Sequence, residues 1–203
     1  MEWLSKGALP IGILMFAGML LALLLRRHRF RHAAQHFPAL AEKLGLDFRA
    51  SPHRRTIGTL SGVYRGYRVF IDPDDQRRIT VRFDQEPKVD LRNYAQSRRP
   101  PRGMHTFFSG SKRFDSFFKT RYMSDELAER LLEVEHLDRL LDPFRGPYFR
   151  QLKQLNVTSN GVSCVLNFGN PPHIPAAAVE LLLPAMVELA KAIEPHQAGL
   201  ASA

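Results

Sequence analysis

The feature that most constrains this chain is a run of 19 residues without a charge, "GALPIGILMFAGMLLALLL" from Gly7 to Leu25, which stops against "RRHRFRH". As a helix it extends roughly 28 Å at about 1.5 Å per residue, against a bilayer hydrocarbon core of about 30 Å. The run therefore predicts a transmembrane helix over 7–25. A cleaved signal peptide fits less well, because the run is long, Lys6 is the only cation before it, and "LALLLRR" offers no small-residue cleavage site. A helix buried inside a soluble core would need the rest of a short chain to wrap it.

Charge gives the expected anchor a direction. Residues 1–25 carry only Glu2 and Lys6, whereas residues 26–82 carry 13 Lys and Arg against 5 Asp and Glu, nearly all of the chain's net charge of +9. Cationic flanks stay on the cytoplasmic side. The expected layout is thus a short extracytoplasmic N-terminus (1–6), the transmembrane helix (7–25), a basic juxtamembrane segment (26–36), a cytoplasmic domain (37–194) and a flexible tail (195–203). Arg26, Arg27, Arg29, Arg31, His28 and His32 are the expected membrane-surface contacts, held by anionic lipid headgroups. Gly18 and Ala22 form one small-xxx-small pair through which two such helices could dimerise. One cysteine, Cys164, excludes an intrachain disulfide framework and agrees with a reducing compartment.

Beyond residue 36 the pattern is globular. "FPALAEKLGLDF" reads as a short amphipathic helix stopped at Gly45. Strands are expected near 57–64, 67–72 and 78–84, joined by Arg65-Gly66 and "PDDQR". Residues 85–105, with "QSRRPPRG", read as a solvated loop, and the aromatic-rich "FFSGSKRFDSFFKTRYMS" as a turn and strand leading to Ser124. Ser124 caps a helix expected to run to about Leu141, with Asp125 and Glu126 in its first turn. A hairpin on Asn160-Gly161 follows, then a helix with Pro184 inside it. This order implies an α+β class, an antiparallel sheet with helices packed on one face, behind the N-terminal transmembrane helix.

"LAEKLGLDF", "GTLSGVYRGYRVFID", "SGSKRFDSFFKTRY" ahead of a leucine-rich helix, and "VELAKAIE" at the end resemble an uncharacterised group of bacterial single-pass membrane-associated proteins over about residues 38–194. The resemblance implies a membrane-anchored domain and brings no activity, cofactor or catalytic residue with it.

Motifs that could carry chemistry read more simply as structure. Cys164 alternates with Val162, Leu166 and Phe168 on one strand face and reads as a small buried hydrophobe. "SGSK" at 109–112 lacks the glycine and lysine placement of a phosphate loop, and "DPDD" at 72–75 lacks the spacing of a calcium loop. Glu126, Glu129 and Glu133 form a solvated helix face with Arg130. His28, His32 and His36 repeat every fourth residue but among arginines and without acidic or thiol neighbours, while His53, His105, His136, His173 and His196 are scattered. No catalytic, cofactor-binding or metal residue is assigned.

Three functional classes remain. The leading expectation is a protein-binding or scaffold module at the membrane. The alternative is a membrane-tethered nucleic-acid-binding domain using Arg54, Arg55, Arg65, Arg68, Arg77 and Arg78, whose arginines alternate with aromatics in "VYRGYRVF". The third is an enzyme whose active site is dispersed along the sequence.

Overall fold

The computed structural model describes residues 3–53, 56–96, 99–169 and 173–194, with side chains given for these except 3–12, 26–27 and 29–34. Four helices and nine strands follow in the order α1 (Trp3–Leu44), β1 (Asp47–Ala50), β2 (Gly58–Tyr64), β3 (Tyr67–Asp72), β4 (Arg78–Arg82), β5 (Val89–Arg92), β6 (His105–Thr106), α2 (Lys112–Phe117), β7 (Thr120–Met123), α3 (Asp125–Leu132), β8 (Leu152–Thr158), β9 (Gly161–Leu166) and α4 (Ala176–Ile193). Short 3-10 turns at Leu137–Leu141 and Pro143–Arg145 join α3 to β8.

All nine strands join one antiparallel sheet in the order β1-β2-β3-β4-β9-β8-β5-β7-β6. The period-2 alternation of the strands becomes, once they are in register, continuous rows across the sheet. One apolar row runs Leu60, Ile71, Ile79, Cys164, Leu155, and its neighbour runs Val69, Val81, Val162, Val157, Leu91. Every member is buried. Each such side chain taken from water stabilises the fold by about 1.5–3 kcal/mol before entropy is counted. The covering layer is α4, which lies against β4 and β9, with the C-terminal turns of α1 beside it and α3 alongside. α4 is held at its end by Glu194, whose carboxylate accepts the N–H groups of Asp84 and Gln85 at 2.7 Å. At the β7 end, Phe114 and Phe117 of α2 pack with Phe107 and Phe118, edge to face in the Phe107–Phe114 and Phe117–Phe118 pairs and tilted in Phe114–Phe118.

The α+β class with helices on one sheet face stands; the transmembrane helix does not. Among the described residues no helix is long and apolar enough to cross a membrane. Instead of ending at a bilayer boundary, the helix continues through the basic segment to Leu44, where Phe37, Leu40 and Ala41 enter the core. The expected single-pass anchor is corrected accordingly, and with it the placement of residues 1–6 outside and of the domain in the cytoplasm.

Other boundaries also move. The helix expected to begin at Phe37 is the last part of α1, although its stop at Gly45 is as expected, with φ +66°. Residues 85–105 contain β5, and the aromatic segment folds into α2, capped by the Ser111 hydroxyl. The helix capped by Ser124 ends at Leu132, and the chain then turns through His136 at φ +70°.

Candidate functional site

The face of the sheet opposite the helices carries the alternate residues of the same strands. Its middle row runs Ser61, Phe70, Thr80, Ser163, Asn156, Arg92, Thr120. On one side lies the row Val63, Arg68, Arg82, Gly161, Thr158, Asp90, and on the other Asp72, Arg78, Val165, Gln154. At the β7 end this face is closed, since Thr120 Oγ1 accepts the Gln96 N–H and donates to the Tyr94 carbonyl, both at 3.0 Å. Arg92 is likewise engaged, by Asp90 at 2.6 Å and by Tyr94 at 3.3 Å. Over β3, β4, β9 and β8 the face is open.

There it forms a groove of about 700 Å³, walled by Arg68, Arg78 and Arg82 with Glu86 and Gln76 at its margin, and floored by Thr80, Ser163 and Gly161. A shallower hollow of about 350 Å³ adjoins it, lined by Val63, Phe70 and the same Arg68 and Arg82, so these two arginines form the ridge between them. The geometry is a consequence of sequence. Small side chains at Thr80, Ser163 and Gly161 leave the centre low, while R-x-T-x-R in β4 places Arg78 and Arg82 on one side of the strand.

Arg68 and Arg82 are direct cross-strand partners. Like charges in that position oppose folding by up to about 1 kcal/mol. Arg68 is partly offset by Asp84 at 3.6 Å. Among the described residues, Arg78 and Arg82 form no ion pair, and the Thr80 and Ser163 hydroxyls, also direct cross-strand partners, make no hydrogen bond. Asn156 Oδ1, next in the row, is buried without a donor. Arg78, Arg82, Thr80 and Ser163 line one groove and are reachable from solvent, whereas Asn156 is not part of its lining.

The arginines anticipated from sequence divide between places. Arg68 and Arg78 stand in the groove. Arg65 stacks on Tyr64 at 5.3 Å and pairs with Glu188 at 3.6 Å, and Arg77 donates to Asn167 at 3.0 Å. Arg54 and Arg55 lie outside the described residues, as do the side chains of Arg26, Arg27, Arg29, Arg31 and His32; His28 is exposed on α1. Gly18 has open space around it, and both it and Ala22 are exposed on α1. Arg82, the residue missed, was signalled by its alternation with Arg78.

The remaining chemical candidates stay apart. Cys164 is fully buried, and burial pushes its thiol up to about 12. His105 pairs with Asp125 at 2.8 Å and His136 with Glu135 at 3.0 Å, both on the surface, while His173 is buried and held below its ordinary pKa by desolvation. His196 lies outside the described residues. Among the described residues no group of three His, Cys, Asp or Glu is placed to hold a metal ion.

No family model matches the chain, and no curated protein matches it. Among solved structures, the crystal structure of the mycobacterial trehalose monomycolate transport factor A is similar at 13% identity and a TM-score of 0.48, covering 81% of this chain and 97% of that one. Likeness at that level supports no functional assignment.

Proposed function

We propose that the α+β domain is a non-catalytic binding module whose open sheet face receives an extended acidic segment of a protein partner. The observation that carries this reading is the cross-strand Arg68–Arg82 pair beside the unpaired Arg78, a cationic set kept at a cost in stability and relieved when an acidic chain lies over it. The low floor of Thr80, Ser163 and Gly161 gives an extended peptide room to lie across the strands. An enzyme would need converging acid, base or nucleophilic groups in an enclosed pocket, whereas the groove is open and its lining holds three arginines and a single carboxylate, Glu86. Nucleic acid is the weaker fit. Sequence-tolerant binding of single strands uses successive aromatic platforms, and among the described residues of the groove Phe70 is the one exposed aromatic, with Phe83 buried at its margin.

The test is calorimetric titration of the full chain with a poly-glutamate peptide and with a single-stranded oligonucleotide, at about 0.15 M salt, for the wild type and for R68Q, R78Q and R82Q. The peptide should bind, and the triple variant should lose at least about tenfold in affinity, or 1.4 kcal/mol. Peptide binding that ignores all three substitutions removes the groove from the interaction. Tighter binding of the oligonucleotide replaces the protein-partner reading with nucleic acid.

A further inference from the structure

The binding reading leaves open what kind of acidic group the groove selects, and three details of its geometry point beyond a simple carboxylate. The first is charge: Arg68 and Arg82 are opposed across the β3–β4 ladder, and Arg82 has no ion-pair partner among the described residues. A carboxylate carries one charge on two oxygens. It satisfies one guanidinium bidentately and leaves the second facing it across the strands. The second is donor number, because the Thr80 and Ser163 hydroxyls stand on the adjacent row and have no partner of their own. Two guanidinium forks and two hydroxyls offer more donors than two oxygens accept well, and suit three oxygens bearing between one and two negative charges.

The third detail is the surface beside the two arginines. Exposed Val63 in the adjoining hollow and Phe70, which lines both the hollow and the groove, offer apolar surface to a neighbouring side chain.

Resting on the binding reading above, we propose that the ridge between Arg68 and Arg82 seats the phosphate monoester of a phosphorylated serine or threonine, carried on an extended peptide with an apolar residue beside it. The phosphate bridges the two guanidinium groups and takes hydrogen bonds from Thr80 and Ser163, while the neighbouring apolar side chain of the peptide rests on Val63 and Phe70. A phosphate monoester carries about −1.5 to −2 at pH 7 with a second pKa near 6, so its advantage over glutamate falls as the pH is lowered toward 5.

The experiment titrates the full chain with three peptides that differ at one central position, phosphoserine, glutamate or serine, in an otherwise identical acidic sequence, and separately with inorganic phosphate. The phosphoserine peptide should bind at least about tenfold more tightly than the glutamate peptide at pH 7.5, and this preference should shrink to about twofold in R68Q and in R82Q. R82K, which keeps the charge but loses the bidentate fork, should fall between. Thermal unfolding of each variant at or above the wild-type midpoint shows that the fold is retained. Equal binding of phosphoserine and glutamate peptides through the same arginines overturns this inference and leaves the acidic-partner reading standing. A preference that survives both glutamine substitutions places the phosphate elsewhere, and inorganic phosphate binding as tightly as the phosphopeptide makes the site one for a free anion. Failure of every peptide to bind removes both readings.

Discussion

Replacing Asp74 by asparagine should make the protein more stable at neutral pH and leave it unchanged in acid. Asp74 sits in the turn between β3 and β4, where one of its oxygens accepts the Ile57 N–H while Oδ1 is buried without a donor. Burial lifts its carboxyl from an ordinary 3.8 to about 6, against the opposing effect of the Ile57 and Gly58 N–H groups, with the charges of Asp72 and Asp75 adding a little. Since the folded state holds this proton more tightly than the unfolded chain, Asp74 opposes folding progressively as pH rises from about 4 to about 6, and by a constant amount above that. At about 1.4 kcal/mol per pKa unit the ceiling is about 3 kcal/mol. The N–H bonds to the carboxylate are weakened in the amide, so the net gain of D74N above pH 7 should be about 1–2 kcal/mol. Urea unfolding of both proteins from pH 3.5 to 8 reads the difference directly, because every other titrating group cancels. The stability difference should be near zero below pH 4, grow through pH 5 and level off above pH 7. A difference that does not vary with pH, or a variant less stable at pH 8, refutes the assignment of the strain to this carboxylate.

Removing one of the opposed arginines should stabilise the unliganded fold, with R82Q raising the unfolding free energy by up to about 1 kcal/mol in low salt and by less in high salt; a loss of stability would show that Arg82 is engaged within the chain. Cys164 should resist thiol reagents in the native protein and react once urea unfolds it, and C164S should cost about 1–3 kcal/mol by placing a hydroxyl in the apolar row; fast native labelling would contradict its burial. G161A should cost at least about 2 kcal/mol, because Gly161 sits at φ +140° and an added Cβ would lie 2.1 Å from the Val81 carbonyl oxygen. Chemical unfolding within 0.5 kcal/mol of wild type would mean that β9 can move away from β4.

What could be read from sequence was local. Asn160-Gly161 and Arg65-Gly66 set their hairpins through turn chemistry confined to a few residues, Ser124 caps α3 through its own hydroxyl, and the alternation around Cys164 needed only the period of a strand. What escaped depended on distant neighbours. β5 is four residues in a polar stretch and becomes a strand because β7 and β8 flank it. α2 carries aromatics that favour strands, yet its Phe114 and Phe117 fill the core when spaced along one helical turn. The apolar run before Arg26 invited a membrane reading because composition does not show that the helix goes on, past Pro38, into the core. The groove was half visible: Arg68 and Arg78 were noted, but β9 and β8, which supply its floor, lie some 80 residues further along.

The placement of β9 beside β4 also governs how the molecule can be made. Arg82 pairs with Gly161, so the seam at the middle of the sheet cannot close until nearly four-fifths of the chain has left the ribosome. Until then the β1–β4 meander presents the full edge of β4 to solvent, Ile79 and Val81 included, with neither its neighbouring strand nor α4 to cover them. Contacts so distant in sequence slow folding and prolong exposure of that edge. The arginines at both ends of β4 then have a second value, because a strand flanked by positive charge is a poor template for pairing with another copy of itself while it waits.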